Sequence, residues 1–209
     1  AAVGSSPGMT RRRAGWALVA AGLLVVGWLV WELVGTTVVA QHRQEGLVAD
    51  LTERFDRGPA AGDRSLPHGA FAVARLPDSI GGDTVPVVEG DDDDALAWGL
   101  GHVTDTELPG EGGNVVLGGH RITHGEPLRD LTEIRPGDQI VLRTATERYT
   151  YEVPEGATVR RVPFTDASVL DDRAGDPGLP RRGELLTLVT CAELFHTDDR
   201  LVVSAVRVR

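Results

Sequence analysis

The hydropathy of the chain divides it into an apolar N-terminal stretch, a short amphipathic segment and a long region of brief β-branched runs. Arg11, Arg12 and Arg13 precede eighteen residues without a charge, Ala14 to Trp31. At a helical rise of about 1.5 Å per residue these cover roughly 27 Å, enough to cross the hydrocarbon core of a bilayer. The apolar character continues past Glu32 to Ala40, and Trp16, Trp28 and Trp31 lie near the ends of the stretch, where interfacial aromatics sit. The pattern predicts a transmembrane signal anchor over 14–40. Its basic flank places residues 1–13 in the cytoplasm and everything after residue 40 outside, a single-pass protein of the cell membrane. A cleaved signal peptide is the less favoured reading, because its apolar region would be shorter and the nearest small-residue site, Thr36 to Ala40, comes late. Met9 directly before Thr10 and the arginines is how a signal anchor begins, so residues 1–8 read as an over-extended start.

Residues 41–69 form a membrane-proximal helix and linker. Leu47, Leu51 and Phe55 recur at four-residue steps among charges, and Gly58 to Gly69 is rich in turn formers. From Ala70 onward the candidate strands are 71–75, 84–88, 114–118, 139–144, 147–153, 157–162, 185–190 and 201–208, with one short helix near 126–132. Eight strands within 70–209 predict a mainly β fold, one closed eight-stranded barrel with short helices around a single core.

Charge narrows the partners. The chain carries a formal charge of −10, and all 21 basic residues are arginine, a bias typical of high-GC bacteria. Without the arginine triplet the outward part is more acidic still, so nucleic acid is not an expected partner. The acidic run Glu89, Asp91, Asp92, Asp93, Asp94 lacks the alternation and distal glutamate of a calcium loop and reads as a solvated loop or helix N-terminus. No metal or other cofactor is expected.

The chemistry gathers in two segments. Cys191 is the single cysteine, ending the apolar run Leu185-Leu186-Thr187-Leu188-Val189-Thr190-Cys191, and with no intramolecular partner it points to a thiol kept for reactivity. Arg200 follows at the start of a returning strand, and a hairpin would bring it back beside Cys191. Upstream, Gly113-Asn114-Val115-Val116-Leu117-Gly118-Gly119-His120-Arg121 reads as a buried strand that delivers His120 through a glycine pair. Thiol, imidazole and guanidinium can then converge.

TLVTC followed by Arg200, with GNVVLGGHR and the segment Leu108 to Asn114 upstream, resembles the sortase family of Gram-positive surface transpeptidases over residues 70–209. HRITHGEPLRDL after the histidine is similar to the actinobacterial class E type. The resemblance implies a sortase β-barrel that cleaves a C-terminal LPXTG-like sorting signal, often LAXTG in class E, between Thr and Gly. It implies transfer of the secreted protein to an amine of the peptidoglycan precursor. Matching positions make Cys191 the nucleophile, His120 the general acid and base, and Arg200 the group that holds substrate backbone or the oxyanion. Thr190, Arg121 and His124 become candidates for substrate contact. The residues' own chemistry agrees: a thiolate is favoured by nearby cationic groups, and the leaving and entering amines each need a proton moved.

Each residue also has a bland reading. A lone cysteine is more often a small buried hydrophobe, His120 can cap a turn, and Arg200 can be a surface charge. The TLVTC context favours function for these three. For His102, His124 and His196 the structural reading leads, with His124 the best placed to line the site. His120 and His124 have H-x3-H spacing, but Gly118, Gly119 and Gly125 bracket them and the glutamate of a zinc helix is missing. Papain-like peptidases place cysteine before histidine, the reverse of the order here. A barrel that binds cell-wall components without catalysis is the alternative from another class.

Overall fold

A computed structural model of the chain describes residues 7–58, 66–179, 183–192 and 198–208. Helix α1 (Pro7–Val30) passes through a π-helical turn (Trp31–Gly35) directly into helix α2 (Thr36–Arg57). The segment Arg12–Val30 is long and apolar enough to cross a membrane, with a mean hydropathy of 1.8 and no part of it buried. At the turn the Trp31 ring lies over Gly35, where a Cβ would come within 2.5 Å of the indole.

The apolar stretch that reads as continuous to Ala40 therefore has two destinations. Ala40, Gln44, Leu47, Leu51 and Phe55 form the buried stripe of α2, at steps of three and four residues, with Gln44 its one polar member. The stripe packs on Ala70, Val73 and Val88 of the barrel. Each such leucine or phenylalanine contributes about 2 kcal/mol by leaving water. Arg54 and Arg57 in the last turn oppose the helix dipole, and Gly58, at φ 77°, ends the helix. The amphipathic helix expected after residue 41 is thus present and docked.

Nine strands follow: β1 (Ala70–Arg75), β2 (Thr84–Glu89), β3 (Leu100–His102), β4 (Gly113–Gly118), β5 (Gln139–Thr144), β6 (Arg148–Glu152), β7 (Arg160–Pro163), β8 (Glu184–Cys191) and β9 (Asp199–Val208). Their order is β6-β5-β1-β2-β3-β4-β8-β9, and the β6–β9 pairing closes the ring. The barrel is eight-stranded, as expected, but its membership differs from the sequence reading. β3 completes it, whereas β7, expected at 157–162, lies outside the ring against the far edge of β9. The helix expected near 126–132 is only a 3-10 turn at Leu131–Glu133, because Glu126 takes a left-handed φ of 54° and Pro127 follows it.

Inside the barrel, Leu100, Val115, Leu117, Ile140, Leu142, Tyr151, Leu186 and Leu188 are fully buried. β8 reads as an unbroken apolar run because both its faces are covered. Leu186 and Leu188 point into the barrel, while Leu185 packs with Ala174 and Leu179, and Val189 with Val162, Val169 and Val202. The β7–β8 connection that supplies this cover is held by Asn114, whose amide donates to the carbonyls of Val169 (2.9 Å) and Asp171 (3.0 Å) and accepts from Thr187 (2.7 Å).

Candidate active site

β4 and β8 run parallel, with Gly118 opposite Val189, so both deliver their C-terminal ends to one rim of the barrel. β9 returns antiparallel beside β8 and pairs Arg200 with Cys191. Adjacent strands lie about 4.8 Å apart, so three neighbouring strands present His120, Cys191 and Arg200 at the same edge. The expected hairpin register is realised; the turn residues 193–197, His196 among them, lie outside the described residues.

Gly119 carries the backbone from β4 to His120. A Cβ there would meet Leu100 at 2.8 Å and Leu128 at 3.0 Å, so the strand end passes where only glycine fits. Its N–H donates to Val189 (3.0 Å), and its carbonyl accepts from the Thr190 hydroxyl (2.7 Å). Thr190 lines the groove, but its hydroxyl is buried and engaged with the backbone next to the histidine.

The His120 ring stacks on His124, with centroids 4.8 Å apart and planes at 29°. Burial, and secondarily His124, hold the His120 pKa below its ordinary value near 6.5, with Asp93 acting in the opposite sense. His120 is therefore mostly neutral at pH 7. Its Nε2 is buried with no hydrogen-bond partner among the described residues. A ring nitrogen in that condition is able to take a proton from a thiol.

Cys191 is half-buried and unpaired in any disulfide. Arg200, also half-buried, donates to the Asp199 carbonyl (3.1 Å) and lays its guanidinium over the Phe164 ring at 4.6 Å. Around these groups lies a groove of about 500 Å³. Leu96, Val103 and Val116 form one wall, Val162, Pro163, Phe164, Val169 and Leu170 the other, with Gly118, Gly119 and Thr190 between. Phe164 is 66 % exposed, an unusual place for phenylalanine unless something apolar lies against it.

Of the six residues singled out from sequence, His120, Thr190, Cys191 and Arg200 line this groove. Arg121 does not; it points along the barrel rim and donates to the carbonyls of Ala192 and, at 3.5 Å, Arg129. His124 stands behind His120. His102 is a satisfied structural residue, its ring bound to Glu89 (3.1 Å) and the Glu107 carbonyl (3.0 Å). Phe164, Leu170 and Asp93 escaped the sequence reading, because the β7–β8 connection and helix α3 (Asp93–Leu96) reach the groove only through tertiary packing. Among the described residues no three His, Cys, Asp or Glu side chains cluster as a metal site.

A thiol, an imidazole and a guanidinium at the ends of parallel β4 and β8 and antiparallel β9 is a specific arrangement, and comparison with known proteins shows the family. A family model described as Sortase domain matches residues 78–208. The chain belongs to the sortase family. Among curated sortases, SrtE1 of Streptomyces coelicolor is 29 % identical over 201 residues, covering 92 % of this chain; the chain spans 55 % of that relative's length. The sortase E structure from Streptomyces avermitilis is 35 % identical with a TM-score of 0.60, covering 68 % of this chain and 90 % of that one. A structure of sortase E1 from S. coelicolor, described as having a tripeptide in the active site, is 29 % identical with a TM-score of 0.59, covering 68 % and 90 %. Sortases are cysteine transpeptidases, and the barrel here is the sortase barrel.

Proposed function

We propose that this sortase is a membrane-anchored transpeptidase. It would cleave a C-terminal LPXTG- or LAXTG-like sorting signal of secreted proteins between Thr and Gly through a Cys191 thioacyl intermediate, and pass the protein to a cell-wall amine. The observation that carries the reading is the pairing of Cys191 with Arg200 beside the strand end that delivers His120, all lining one apolar groove. The tripeptide-bound S. coelicolor relative supports a peptide in the corresponding place. The apolar walls at Phe164 and Leu170 suit the small apolar residues of such a signal.

The chemistry balances within this chain. Neutral His120 takes the Sγ proton, and the thiolate attacks the threonine carbonyl carbon. Arg200 donates to the oxyanion that forms. As the C–N bond breaks, the imidazolium returns the proton to the departing glycine amine, leaving a thioester. An incoming amine then loses its proton to His120, attacks the same carbon and releases the thiolate, which recovers the proton. The helix over Arg12–Val30 would hold this reaction at the outer membrane face, where both substrates are presented.

The test is incubation of the full chain in detergent with LAXTG and LPXTG peptides, with and without an amine. An acyl adduct on Cys191 that hydroxylamine removes is expected, together with amine-dependent product and no turnover by Cys191→Ala. Turnover by that variant would overturn the mechanism. Peptide binding without any adduct in the parent enzyme would favour a non-catalytic wall-binding barrel.

A further inference from the structure

The segment behind His120 is conformationally costly. His124 (φ 52°), Gly125 (φ 90°) and Glu126 (φ 54°) occupy the left-handed region in succession. For the two non-glycine residues this is a strained conformation, and it persists only where the surroundings impose it. Helix α2 does so. The Gln44 amide donates to the His124 carbonyl at 2.9 Å, and Gly125 lies so close that a Cβ would sit 2.6 Å from Gln44 Oε1. About two turns earlier on the helix, the Thr37 hydroxyl donates to the Glu126 carboxylate at 3.2 Å.

Gln44 stands on the apolar stripe of α2, between Ala40 and Leu47, with 5 % of its surface exposed. A buried amide there is unfavourable unless its polar atoms are used, and a leucine would serve packing better. Its nitrogen also reaches the carbonyl of Ala97, at 3.4 Å. Ala97 caps helix α3, which carries Asp93. One buried side chain thus ties together the two elements that bear His124 and Asp93, the ring stacked on His120 and the carboxylate that acts on it across the groove.

We propose that Gln44 is a positioning residue through which the membrane-proximal helix sets the orientation and charge environment of His120. The inference rests on His120 acting as the acid and base of the reaction proposed above. Besides His124 and Asp93, the charged or titratable groups are Asp91, Asp166, Cys191 and Arg200, which line the same groove, and Arg121, next to His120 in the chain.

The full chain in lipid nanodiscs, assayed with an LAXTG peptide and an amine, tests this with Gln44→Met, which keeps the volume and removes the donor. The expected result is a kcat at least about tenfold lower at unchanged KM, since small misplacements of a catalytic group are costly. The acid limb of the pH–rate profile should move as well. Gly125→Ala, which crowds the same amide from the other side and leaves α2 intact, should move kcat and the acid limb likewise. Rates are compared well below each variant's Tm. A kcat within twofold of the parent with an unmoved acid limb, a lower Tm as the only effect, or a change confined to KM would each overturn the inference. Cys191→Ala run in parallel separates the two levels: if it is dead while Gln44→Met is normal, only the role of Gln44 fails; if it turns over, the reaction itself has been misread.

Discussion

Arg200→Lys separates a directed hydrogen-bonding role from a merely electrostatic one. In the structure the guanidinium stacks on Phe164 at 4.6 Å while one of its nitrogens binds the Asp199 carbonyl at 3.1 Å. The planar fork is thereby held beside Cys191, its partner across the β8–β9 ladder. Lysine keeps the charge but loses the plane and the fork. Loss of one directed donor to an oxyanion costs about 3 kcal/mol, on the order of a hundredfold in kcat. The stacking energy forfeited at a half-exposed position is only about 0.5–1 kcal/mol, a Tm change of about 1–4 °C for a chain of this size. The expected signature is therefore a large rate loss with a small stability loss. It is read from steady-state turnover of an LAXTG peptide beside melting curves of parent, Arg200→Lys and Arg200→Ala. If Arg200 supplied only a positive potential, the lysine variant would stay within a few-fold of the parent, and both would weaken as salt shortens the Debye length to about 8 Å and below. That outcome would falsify the directed role.

Two further expectations follow from the same rim. Because burial and His124 hold the His120 pKa down, His124→Ala should raise it, moving the acid limb of kcat/KM upward in pH toward about 6.5, and an unmoved limb would count against the stack. The same shift has a stability consequence: the folded pKa lies below the unfolded one, so the stability His120 contributes is present above about pH 6.5 and is lost as pH falls through the folded pKa, a loss that His124→Ala should reduce in acid melting curves. Thr190→Val removes the 2.7 Å bond to the Gly119 carbonyl with almost no change in volume; it should cost about 1–3 kcal/mol by denaturant titration and lower kcat, whereas a raised KM at unchanged stability would mean the hydroxyl contacts substrate instead.

That His120, Cys191 and Arg200 would meet was legible because each lies at or just past the end of a strand whose own residues announce it. β8 is a run of apolar residues, β4 leads into a glycine pair, and β9 is rich in β-branched and apolar residues. β3 was not legible: it is three residues long with a glycine at its centre, where a Cβ would strike the Gly90 carbonyl at 2.3 Å. Close backbone approach leaves no hydropathy signal. β7 was found but placed wrongly, since pairing on the outer edge of β9 or within the ring demands the same β-branched residues. The groove wall at Phe164 and Leu170 belongs to a connection ordered by Asn114, a polar residue whose side-chain partners all lie more than fifty residues away. Gln44 carried a readable clue, a polar side chain in phase with Leu47, Leu51 and Phe55, but its partner on the His124 loop is a long-range contact.

The π turn between α1 and α2 has a geometric consequence. In the membrane-anchored enzyme proposed above, the part of α1 after the arginines is apolar on every side, so the bilayer would have no preference for how it is rotated about its own axis. That azimuth is settled by α2, whose docking stripe admits one orientation of the barrel. A helix advances about 100° per residue, so a single residue gained or lost within Trp31–Gly35 would swing the groove around the anchor by roughly a quarter turn while leaving the membrane crossing intact. In the proposed reaction, the bearing from which a secreted protein's tail would reach Cys191 is thus encoded in a count of residues, at a distance from the groove itself.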